Sequence, residues 1–80
     1  MASPGYRLEA QVAAARAAVA DLRAGPSAGA TRRLHRHLGL AIDCAQVAAE
    51  AGIELPESGL QALADLLEDI RILAYRFVNR

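Results

Sequence analysis

SGLQALADLLEDIRILAYRFVNR, residues 58–80, is the stretch whose reading decides the fold. Leu60, Leu63, Leu67, Ile70, Ala74 and Phe77 recur at alternating steps of three and four, the spacing of one helical stripe. Leu66 and Leu73 widen that stripe, while Ile72 falls on the same side as Asp65, Glu68, Asp69 and Arg76. A helix with this much apolar surface does not stand alone in water. The rest of the chain, or another chain, must cover it.

Outward from it, GIELPE (52–57) reads as a short turn, and Ser58 with Gln61 matches the S-x-x-Q capping box at a helix start. The preceding helix is expected over 31–51, with Thr31 as N-cap and Gly52 as the stop. Arg32, Arg36, Gly39, Asp43, Gln46 and Glu50 form its polar stripe, opposite Leu34, Leu38, Ala41, Ile42, Ala45, Ala48 and Ala49. Leu40 and Val47 lie outside the apolar face, so one buried face does not account for them. AGPSAGA (24–30) is the only stretch resembling a flexible linker.

The first helix is expected over 4–23, opened by Ser3 as cap and Pro4 at the first helical position. Leu8, Val12, Ala15, Val19 and Leu22 make a narrow heptad seam, and alanine is the commonest residue at the other positions. Such a thin stripe predicts that this helix contributes the least burial of the three. On that reading it is the helix that frays or exchanges between chains.

Eighty residues make one domain, 1–80, and a domain this small needs a staple, very regular packing or a partner. A single cysteine, Cys44, excludes an intrachain disulfide. Apolar residues reach 54%, with aromatics at only 4%. Nine arginines balance nine acids with no lysine, so no bulk charge draws the chain to nucleic acid or a membrane. No run approaches the roughly 18 apolar residues of a membrane span. MASPGYRLEA (1–10) lacks the basic-then-apolar order of a secretory signal, so a cytoplasmic protein is expected. Arginine without lysine, with abundant alanine and glycine, fits a GC-rich bacterial genome.

The charges are placed unevenly. Arg32, Arg33 and Arg36 crowd the start of the second helix and Glu50 ends it, against the helix dipole. Simple tolerance of this misplacement is expected, the functional alternative being that the arginines meet an acidic partner, the nearest being the third helix. That helix is acidic in its first half and basic in its last. Antiparallel packing of helices two and three would set like charges together, which favours a second chain supplying the complement.

Catalytic and metal chemistry find no frame. His35 and His37 diverge on a helix, and His37 and Cys44 stand two turns apart, so one chain offers no chelating set. Neither a glycine-rich phosphate loop nor a strand is present to frame a nucleophile. No enzyme, no cofactor and no metal is expected. VAAEAGI (47–53) resembles the turn of bacterial helix-turn-helix DNA-binding domains, which implies a recognition helix immediately after it. The following stretch instead carries Glu54, Glu57, Asp65, Glu68 and Asp69, which phosphate repels, so VAAEAGI is read as a helix end with a glycine stop.

The expected fold is all-α: a small antiparallel three-helix bundle, built from a helix 2–helix 3 hairpin plus the alanine-rich first helix, and oligomerising. The expected function is a protein–protein interaction module, an oligomerisation element, adaptor or small co-chaperone-like protein. Its partner is another protein or a second copy, met through Leu40, Val47, Ile72 and Tyr75. The alternative is a nucleic-acid-binding accessory protein using the basic patch Arg32, Arg33 and Arg36.

Overall fold

The helix with the smallest side chains forms the centre of the molecule. A computed structural model describes residues 4–78, with side chains from Arg7 onward, as three helices: α1 (Pro4–Ala24), α2 (Ala28–Glu50) and α3 (Glu57–Val78). No strand occurs among the described residues. Together the helices make a rod with principal extents of 43 × 21 × 18 Å. The expected Ser3 cap lies outside the described residues.

Both α2 and α3 pack along α1 and scarcely touch each other, which corrects the expected helix 2–helix 3 hairpin. The seam Leu8, Val12, Ala15, Val19 and Leu22 is buried as its spacing indicates, and Ala18 joins it. Among the described residues, α1 thus supplies six of the eleven buried apolar side chains; α2 adds Ala30, Ala41 and Ala48, and α3 adds Leu66 and Leu73. The expectation that the first helix buries least is overturned. Alanine contributes little burial per residue, but it lets a neighbour approach closely. A helix flanked on two sides buries a wider arc than one packed on a single face.

The cross-contacts fix how the helices lie. From α1 to α2, Gln11 reaches His37 and Asp21 reaches Arg33, so numbers fall along α2 as they rise along α1. From α1 to α3, Glu9 meets Ser58 and Arg16 and Arg23 meet Asp69, so numbers rise together. At the lower end of this contact Gly59 is buried against α1; a Cβ there would stand 3.3 Å from Leu8 Cδ2. Glycine therefore brings the first turn of α3 onto Leu8.

The α3 stripe also differs from expectation. The buried line is Gly59, Leu66 and Leu73, with Ala62, Leu63 and Ile70 half-buried beside it. Leu60, Leu67, Ala74 and Phe77 are exposed. Leucines stand on two adjacent rows of this helix, and α1 covers only one. The ion pairs of Asp69 with Arg16 and Arg23 mark which flank faces α1.

Helix ends follow local chemistry. Ser27, not Thr31, caps α2: its Oγ accepts from Ala30 N at 3.1 Å, and the Thr31 hydroxyl donates to the Ser27 carbonyl at 2.8 Å. The connection between α1 and α2 is consequently residues 25–27 and not 24–30. The earlier start moves Arg32, Arg33 and Arg36 beyond the first turn, where the helix dipole acts most, and removes much of the expected conflict. At the other end Gly52 takes φ +70°, its N–H donates to Ala49 O, and Ile53 N–H donates to Ala48 O at 2.8 Å. That is a Schellman stop, so VAAEAGI ends a helix on glycine. The capping box at α3 does not form. Pro56 O receives the N–H groups of Gly59 and Leu60, Ser58 Oγ donates to Glu9 Oε1, and Gln61 Nε2 donates to Asp65 Oδ1.

Candidate interaction surface

Two helices packed on one central helix leave outer flanks, and the apolar side chains on those flanks define the candidate surfaces. On one side of α2, Leu40 and Val47 come together in an open groove of about 470 Å³ between α1 and α2. Arg7 and Gln11 of α1 form one wall, and Asp43, Cys44, Ala48 and Ile53 complete it. The half-buried His37 bridges the two helices, its Nδ1 donating to Gln11 Oε1 at 2.7 Å. This contact takes His37 into the packing between α1 and α2.

Of the four residues expected at the interface, Leu40 and Val47 lie together in this groove. Ile72 and Tyr75 lie on α3, outside this groove, on the flank that carries Asp65 and Glu68. A smaller hollow of about 190 Å³ lies at the opposite end, where Pro26 of the first connection meets Leu73, Arg76 and Phe77 of α3.

The remaining apolar surface was not singled out by sequence. Arg33, His37 and the groove residues occupy the flank of α2 that meets α1's outer edge, so Leu38, Ile42, Ala45 and Ala49 lie on the other flank. On α3, Ser58 and Asp69 meet α1, so Leu60, Leu67 and Ala74 lie on the other flank. These two apolar flanks face one another across α1 without closing, and Ile42, Leu60 and Leu67 each remain about 44–45% exposed. The signal in sequence was a second row on α3, Leu60, Ala64 and Leu67, overlapping the first.

Electrostatics are settled largely within the chain. Arg33 pairs with Asp21 of α1 at 3.0 Å, so the acidic partner it meets lies on the first helix and not the third. Asp69 receives Arg16 at 3.8 Å and Arg23 at 3.5 Å, so α1 supplies the complement expected from a second chain. Arg71 Nη2 and Nε donate to the two Glu68 carboxylate oxygens at 2.6 and 3.1 Å. These hydrogen bonds, and then the charge attraction, hold Glu68 below the ordinary carboxylate range and Arg71 above its usual value. Arg32 and Arg36 are exposed on α2.

Among the described residues, no three His, Cys, Asp or Glu side chains gather as a metal set, and no helix is long and apolar enough to cross a membrane. Compared with known proteins, the chain matches no family model, no curated protein and no solved structure.

Proposed function

We propose that this protein is a non-enzymatic protein–protein interaction module, an oligomerisation or adaptor element of the cytoplasm that works through apolar helix faces. The observation that carries the reading is the set of large apolar side chains outside the core. Leu40 and Val47 on one side, and Ile42, Leu60 and Leu67 on another, stay 41–63% exposed in a chain of zero net charge. Contiguous exposed apolar side chains mark docking surfaces or aggregation hazards, and a protein that stays in solution must cover them. The helices rigidly fixed by α1 present these faces ready-made, which lowers the ordering cost of binding.

Cross-linking in cells tests this. Adducts, with itself or with another protein, are expected for the wild type and are lost from a variant carrying Leu40→Glu and Leu67→Glu. Adducts that survive both substitutions would contradict docking through these faces. Replacing Arg32, Arg33 and Arg36 with Ala is expected to leave the adducts unchanged. Loss of a salt-sensitive association with nucleic acid in that triple variant would instead support a nucleic-acid-binding accessory role.

A further inference from the structure

We infer that the α2–α3 flank is the seat of a second copy of this chain, with the two α3 helices packed antiparallel around Ala64. This rests on the interaction-module reading and names its partner and its surface. Glu57, Leu60, Ala64, Leu67 and Arg71 recur at steps of three and four along α3, and every one is exposed. This is a second helical seam beside the buried one, exposed among the described residues, with Arg71 also holding Glu68 of its own helix. Its ends carry opposite charges and its middle is the small Ala64.

That order is self-complementary. Turning a second α3 end for end about Ala64 sets Glu57 of each copy against Arg71 of the other. The Leu60 and Leu67 side chains of both copies fill the space between. Alanine at the crossing point allows the close approach, and Ile42 of α2 borders the same strip. A parallel arrangement would instead stack Glu57 on Glu57 and Arg71 on Arg71, like charges that repel.

The test is sedimentation equilibrium of the purified full chain over a dilution series, with a charge swap. The wild type is expected at twice the chain mass, dissociating on dilution. Glu57→Arg and Arg71→Glu are each expected to weaken the dimer by at least about tenfold, because each leaves two like-charge contacts in the homodimer. An equimolar mixture of the two variants restores both opposite-charge contacts and is expected to recover the dimer mass as a heterodimer. Circular dichroism confirms that each variant stays helical, since all these side chains are exposed. A wild type that stays at monomer mass at high concentration would overturn the proposal. So would a Leu67→Glu variant that still dimerises, or variants whose mixture fails to recover the dimer. Failure here, alongside Leu67-dependent adducts to another protein in cells, would retire the second copy and leave the interaction-module reading standing.

Discussion

α1 and α3 are close in length and opposite in character, and the comparison runs against their composition. α3 holds five of the eleven leucines, more than either other helix, yet buries only Leu66 and Leu73 among its large side chains and leaves a row exposed. α1 is rich in alanine, yet it buries a continuous seam from Leu8 to Leu22. Burial here follows position. The helix between two neighbours is covered on two flanks, and small side chains are what let both neighbours come close. The leucine-rich helix sits at the edge, so its second row faces outward.

The contrast can be broken most severely at the core. Leu8→Ala in α1 and Leu66→Ala in α3 should each cost about 2–5 kcal/mol in urea denaturation, since both side chains are fully buried. Ile72→Ala, on the exposed face of α3, should stay within about 0.5 kcal/mol. Equal losses at Leu8 and Ile72 would erase the distinction. Next, Ala15→Leu should destabilise by about 1–3 kcal/mol through overpacking, because Ala15 is fully buried between the helices. Ala17→Leu, on the exposed side of α1, should be nearly neutral by thermal denaturation.

Smaller effects sharpen the picture at the helix ends. Ser27→Ala should cost about 1 kcal/mol as the loss of the α2 cap, whereas Ser58→Ala removes one exposed contact with Glu9 and should cost only a few tenths. A reversed order would return the cap of α2 to Thr31. Smallest of all, Asp69→Asn should lower stability by less than about 1 kcal/mol, because its partners Arg16 and Arg23 are half-exposed. That loss should shrink in high salt. A salt-independent loss would mean that Asp69 acts by packing and not by charge.

Much of this was legible in sequence, but not its hierarchy. Three helices, the Leu8–Leu22 seam and the Gly52 stop follow directly from periodicity and backbone chemistry. Which helix lies in the middle does not, because alanine marks close approach without saying how many neighbours approach. On α3, two overlapping rows of leucine satisfy the same spacing rule, and the row seated on α1 is the one that continues from Gly59, whose missing side chain admits Leu8. The cap fell one turn earlier than expected because Ser27 and Thr31 are equally suitable by residue type, and the Pro26-containing turn positions Ser27. Leu40 and Val47 were placed correctly outside the main face, while Ile42, Leu60 and Leu67 were absorbed into a core that does not extend to them.

Native-state hydrogen exchange of the backbone amides tests the central role of α1 most directly. The amides from Val12 to Leu22 are expected among the slowest in the protein, opening only with global unfolding, because they lie under both neighbouring helices. Rapid exchange of α1 while α2 and α3 keep their protection would contradict the account and make α1 a peripheral helix docked on a hairpin.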